Sequence, residues 1–121
     1  MSADGPLKVS TKSSPNAVAG ALAATLRERD CAELQAVGAG AINQAIKAVA
    51  IARNYLKAAS IDVVCVPAFI TVAISDNERT GISLVVERRS AATASSEDNV
   101  ILEDAVKEEM FVGGAHGESL A

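Results

Sequence analysis

The stretch Val37-Gly38-Ala39-Gly40-Ala41-Ile42-Asn43-Gln44-Ala45-Ile46-Lys47-Ala48-Val49-Ala50-Ile51-Ala52-Arg53-Asn54-Tyr55-Leu56 decides the fold. It reads as the end of a strand, a glycine-marked turn and then a long helix. At roughly 100° per residue, Ile42, Ala45, Val49, Ala52 and Leu56 form one apolar stripe. Ala48, Ile51 and Tyr55 extend it along a second edge, and only Asn43, Lys47, Asn54 and Lys57 mark a plainly polar sector. A surface helix buries one face, so a helix this apolar predicts two covers. The first is the protein's own sheet; the second is another helix or a partner subunit.

The flanking segments supply that sheet. Leu7-Lys8-Val9-Ser10 is a short strand candidate, followed by the polar loop Thr11-Lys12-Ser13-Ser14. Ser14-Pro15 is a helix start: serine caps the first turn, and proline at the first helical position gives up a donor that has no partner there. That helix is expected to reach about Arg29, with Val18, Leu22 and Leu26 facing inward. Gly20 inside it costs about 1 kcal/mol relative to alanine, which suggests close approach of a neighbouring backbone. Ala32 to Val37 alternates polar and apolar residues, as a strand with one wet face does. Ile61 to Val66 reads as a buried strand continuing through Pro67 to Ile74, where proline implies a bulge, a bend or an edge position. Ser75 to Arg79 forms the turn, and Thr80 to Glu87 returns. The order β-α-β-α-β-β predicts an α+β two-layer sandwich within the broader α/β class, with a C-terminal hairpin.

Composition narrows the function classes. Half of the 121 residues are hydrophobic, yet only 2% are aromatic, so alanine, valine, isoleucine and leucine must build the core. No apolar run approaches the ~20 residues that span a bilayer, and the opening Met-Ser-Ala-Asp-Gly-Pro lacks the features of a secretion signal. A cytoplasmic protein without membrane attachment is expected, with Cys31 and Cys65 as free thiols filling the core. Net charge is −4, but it is unevenly spread. Met1 to Arg89 carries 10 Lys/Arg against 8 Asp/Glu, and Ser90 to Ala121 carries 1 against 7. A mildly basic body thus bears an acidic tail. Residues 1–6 read as a disordered N-terminus, 7–89 as the domain, and 90–121 as linker and tail. Within the tail, Leu102, Val106 and Met110 at i, i+4 spacing outline a short amphipathic helix over Val100–Phe111.

Three stretches carry a family resemblance: Pro15-Asn16-Ala17-Val18-Ala19-Gly20-Ala21-Leu22, Glu33 through Arg53, and Val64-Cys65-Val66-Pro67-Ala68-Phe69 together with Glu78-Arg79-Thr80. They resemble the stage V sporulation protein S family, whose domain is similar to the Alba nucleic-acid-binding fold. The resemblance spans Leu7 to Arg88, and the tail after Arg89 departs from the single short domain typical of the family. It implies an Alba-like β-α-β-α-β-β domain that forms a homodimer, acts as a small DNA-binding or regulatory factor of sporulation or development, and has no catalytic activity.

The resemblance also guides the choice of candidate contacts. Lys12 occupies a place similar to the DNA-contacting lysine loop of Alba proteins, with Lys8 flanking it and Ser13, Ser14 and Asn16 able to donate to phosphate oxygens. Gly40 opens the central helix, whose exposed amides and positive dipole end suit a phosphate. Asn43, Gln44 and Lys47 share one side of that helix near its start. They either touch phosphate and base edges or hydrogen-bond across a dimer seam. Hairpins reach along the duplex in the Alba fold, which implicates Arg79, Arg88 and Arg89; the nearby Asp76, Glu78 and Glu87 weaken such an arm.

Other chemistry is thinly supported. Gly38-Ala39-Gly40 invites a dinucleotide reading, but Asn43 stands where the third glycine belongs, and Asp62 opens the following strand instead of closing it. His116 sits among glycines without a catalytic partner, and no nucleophile–base pair, carboxylate pair or metal cluster stands out. No cofactor and no enzyme activity are expected. The leading reading is a dimeric nucleic-acid-binding protein, DNA being the favoured polymer, whose acidic tail folds back over the basic surface. The alternative is a protein-interaction module whose dimer and tail dock on a protein partner. A nucleotide ligand at Gly38 to Asn43 is the third.

Overall fold

The computed structural model describes residues 5–89. Residues 1–4 of the expected disordered N-terminus, the linker, the Val100–Phe111 helix and His116 lie outside the described residues. The elements run β1 (Leu7–Val9), α1 (Pro15–Glu28), β2 (Cys31–Ala36), α2 (Ala39–Lys57), β3 (Asp62–Ile74) and β4 (Asn77–Arg89). The fold is α+β, a mixed four-stranded sheet in the order β1-β2-β4-β3 beneath a layer of two helices. β1 and β2 are parallel, whereas β4 runs antiparallel to both of its neighbours. The last strand in sequence is therefore central, inserted between β2 and β3.

Alternation along the strands separates core from solvent. Leu34, Ala36, Leu84 and Val86 point to the helices, with Leu34 opposite Leu84 and Ala36 opposite Ile82. Glu33, Gln35, Ser83 and Val85 point to the other face. Between the layers, Leu22 and Leu26 of α1 meet Leu34, Leu56 and Val86, all fully buried. Burying each of these side chains contributes roughly 1.5–3 kcal/mol. Each helix starts for a different reason. The Ser14 hydroxyl accepts from the Ala17 amide at 3.2 Å and caps α1. Gly38 precedes α2 at φ +92°, a conformation that favours glycine, and no side chain caps that helix.

The central helix is covered on two sides, by the sheet and by α1, as its sequence predicts. Its buried line is Ala41, Ala45, Ala48, Ala52 and Leu56, while Ile42, Val49 and Ile51 flank it half-buried. The buried stripe is thus slightly rotated from the predicted one, because the smallest side chains sit where the helices meet. Ile46 and Tyr55 remain exposed, on opposite flanks of that line, and Ile46 marks the third side.

Several expectations need correction. Gly20 meets nothing within 4 Å of where a Cβ would lie, so no backbone approaches it. Cys31 is exposed and only Cys65 packs against the core. Val18 is half-buried, and Ala19 and Ala23 share the inward ridge with Leu22 and Leu26. The hairpin turn is tighter than predicted: Ser75 and Asp76 alone join the strands, with Ser75 at φ +56°, and Asn77 to Arg79 belong to β4. Pro67 lies on the edge strand β3, one of the three positions expected for it, and stays in register opposite Leu84.

At the opposite end of the sheet from that turn, Asp62 joins α2 to the hairpin. Its carboxylate accepts from Arg53 Nε and Arg89 Nε, each at 2.7 Å. The hydrogen bond from Arg53, seconded by Arg89, outweighs burial and holds the Asp62 carboxyl far below the usual carboxylate range. A carboxyl depressed in the folded state contributes stability above its unfolded value, about 3.9, and loses it as the pH falls below that value. Asp62→Asn is expected to cost about 1–2 kcal/mol at pH 7, with the difference from wild type shrinking below pH 4. Urea denaturation across pH checks this; a difference that stays constant down to pH 2 refutes it. Gly20→Ala is expected to raise stability by about 0.5–1 kcal/mol, since open space and helical backbone leave only the propensity gain. Gly81→Ala is expected to lower it, because the new methyl would lie 2.9 Å from the Ala36 carbonyl oxygen. The same denaturation curves report both.

Candidate nucleic-acid interface

Strand directions decide which residues share an end of the molecule. β1 and β2 run the same way, and β3, antiparallel to β4, runs that way too. The loop after β1, the glycine turn after β2 and the hairpin tip after β3 therefore all emerge at one end. Both helices begin there. Lys12, Ser13, Ser14, Asn16, Gly40, Asn43 and Arg79 are brought to this end, Lys8 lies on β1 just below it, and Lys47 lies about two turns into α2.

The lysine loop is built by its own hydroxyls. Ser13 N–H donates to the Ser10 carbonyl at 3.1 Å, closing a turn. The Ser10 amide donates to Ser13 Oγ at 2.9 Å and the Lys12 amide to Ser10 Oγ at 3.1 Å. Lys12 sits at the tip of this turn with its side chain exposed. The Ser13 and Ser14 hydroxyls accept from backbone amides; Ser14 keeps its own proton for another acceptor, whereas Ser13 Oγ lies 3.5 Å from Ser10 Oγ, either of which can be the donor.

Gln44 fastens the loop to the central helix, its Nε2 donating to the Ser13 carbonyl at 3.0 Å. The sequence places Gln44 among possible phosphate or dimer contacts; the structure makes it a positioning residue, a role only the three-dimensional approach of the loop reveals. Gly40 belongs to the same junction, because a Cβ there would lie 2.7 Å from Thr11 Cγ2. Asn43 and Lys47, four residues apart, remain exposed beside it. The uncapped first turn of α2 points its amides to the same end, a geometry that accepts an anion.

The hairpin completes the surface. A groove runs between the loop, the top of β2 and the hairpin arm, with Lys8 and Arg79 on its rim and Gln35 and Ile74 in its wall. Arg79 pairs with Val72 and Glu78 with Ala73, so successive side chains leave the ribbon on opposite faces. Glu78 thus turns away from the groove that Arg79 borders.

Arg88, grouped with these residues on sequence grounds, lies at the other end. Its Nε donates to the Leu26 carbonyl at 2.8 Å and its NH2 group to the Arg27 carbonyl at 2.9 Å. It closes the C-terminus of α1, whose last carbonyls lack helical partners. Arg89 is likewise committed, to Asp62. Asp62 itself is far from Gly38-Ala39-Gly40, which removes the acidic partner a dinucleotide reading requires.

The open sheet face below the groove carries a compact polar set. Ser83, buried, donates to Glu33 Oε2 at 2.6 Å, and Gln35 Nε2 reaches the same oxygen at 3.1 Å. These bonds, from Ser83 first, lower the Glu33 pKa. Among the described residues no group of histidine, cysteine and carboxylate side chains could hold a metal ion. No described helix is long and apolar enough to cross a membrane.

A family model described as Stage V sporulation protein S (SpoVS) matches residues 5–89, the whole described part of the chain.

Gln44→Ala is expected to loosen the lysine loop while leaving the fold intact. Hydrogen exchange at the Lys12 and Ser13 amides should accelerate about fivefold, with about 1 kcal/mol lost from global stability. Unchanged exchange at those amides would remove Gln44 from its positioning role.

Proposed function

As the chain belongs to the stage V sporulation protein S family, we propose that it is a non-enzymatic regulatory protein of sporulation or development that binds nucleic acid, DNA in the first instance, as a homodimer. One observation carries this reading. The lysine loop, the open start of α2 and the Arg79 arm share one end, while Asp62 and the α1 carbonyls engage Arg53, Arg88 and Arg89 at the other. Loop lysines, hydroxyls and helix N-termini are the groups that position a protein on a phosphate backbone. With four cations per protomer, Lys8, Lys12, Lys47 and Arg79, affinity is modest and steeply salt-dependent.

The dimer doubles that footprint. Its proposed seam is the third side of α2, where Ile46 and Ala50 stand exposed, continued by Phe69 on the helix side of β3 with 80% of its surface accessible. An apolar face of this kind marks an interaction site more often than an idle surface. The same face favours a second reading, a protein-interaction module that uses no nucleic acid.

Fluorescence anisotropy with a short labelled duplex, titrated with salt, separates the two. Lys12→Ala with Arg79→Ala is expected to weaken binding at least about tenfold at low salt and to reduce the salt slope by about 2 per protomer. No binding by the wild-type chain at low salt refutes the nucleic-acid reading. Ile46→Glu with Phe69→Glu is expected to turn the dimer into a monomer in sedimentation and to weaken duplex binding with it. A monomeric wild-type chain refutes the dimer.

A further inference from the structure

The sheet has two faces, and the helices cover only one. On the other, β3 presents Val64, Val66, Ile70 and Val72 in alternation, beside Val85 of β4. Val66 keeps 50% of its surface accessible and Val64 36%. Lys8 and Arg79 border this strip at its far end, and Glu33, beside the strip centre, accepts from Ser83 and Gln35, neutral donors that hold it as a carboxylate. Glu87, opposite Val64, marks the near end.

We propose that this open face is a docking surface for the chain's own acidic segment, Val100–Phe111, which thereby shields Lys8 and Arg79 from phosphate. Three features select that occupant. Arg89 ends β4 beside the start of the strip, since Asp62 is its partner and Val64 lies two residues on. Residues 90–99 can bridge about 33 Å when extended, and the strip from Val64 to Val72 is about 27 Å long. The segment carries Leu102, Val106 and Met110 in apolar spacing to match the valines, together with Glu103, Asp104, Glu108 and Glu109 to match the lysine and arginine. The chain from Ser90 on has 7 carboxylates against 1 lysine, opposite in sign to the body it would cover. The shielding of phosphate contacts rests on the nucleic-acid reading above; the docking does not.

The full chain tests both parts. A nitroxide on the exposed Cys31, in a Cys65→Ser background, reports proximity to the open face. At 50 mM salt it is expected to broaden the amide resonances of residues 100–111, and Leu102→Ala/Val106→Ala/Met110→Ala is expected to abolish the effect. Unbroadened amides overturn the proposal. Broadening seen only between labelled and isotope-enriched chains in a mixture assigns the occupant to a second copy and also overturns it. For the shielding, Glu103→Gln/Asp104→Asn/Glu108→Gln/Glu109→Gln is expected to bind a DNA duplex about tenfold tighter than wild type at low salt, the gap closing as salt rises. Equal affinity overturns the shielding. Broadened amides with no duplex binding by either chain sustain the docking and refute the nucleic-acid reading instead.

Discussion

The close seating of α2 against α1 and the sheet is the constraint on which the rest depends. Four alanines and one leucine form its buried line, so along that line α2 itself contributes no side chain longer than a methyl before Leu56. Small side chains bring backbones together, and the attraction recovered is the sum of many weak contacts at short range. That approach lets Gln44 reach the Ser13 carbonyl and brings Gly40 under Thr11. A larger residue at Ala41 or Ala45 would lift the start of α2 and separate the loop from the helix. The arrangement of the lysine end is thus a packing outcome before it is an electrostatic one.

Charge is sorted between the two ends of the sheet. Where the helices finish, Arg53, Arg88 and Arg89 satisfy carbonyls and a carboxylate, and their work is structural, while Arg27 and Lys57 stand exposed in the last helical turns. Where the helices start, the cations stand on a loop tip, a helix turn and a hairpin arm. A net charge alone hides this division, because an arginine closing a helix counts the same as a lysine facing solvent. The helix dipoles reinforce the sorting, with both positive ends directed to the lysine side and both negative ends to the arginine side.

Much of this was legible in the sequence. Element order, the Ser14 cap, the glycine turn and the two-sided burial of the central helix followed from local pattern, as did the joining of β3 and β4. The insertion of β4 between β2 and β3 did not, since pairing such as Leu34 with Leu84 is set by the whole sheet. Gly20 misled because a helical glycine suggests close packing, and here none exists. Arg88 misled because a basic residue at a strand end gives no sign of whether it meets solvent or a helix terminus. Gln44 was noticed for its helix face, but its partner lies 31 residues away and only the fold supplies it.

The late arrival of the middle strand also bears on how the polypeptide is made. Until residues 82–87 leave the ribosome, β2 has β1 on one side and bare amides and carbonyls on the other, with Leu34 uncovered along that border. An unfinished chain is therefore open to strand pairing with its neighbours in a way the completed one is not. In the finished sheet the outer strands are β1, only three residues long, and β3, whose Pro67 carries no amide donor.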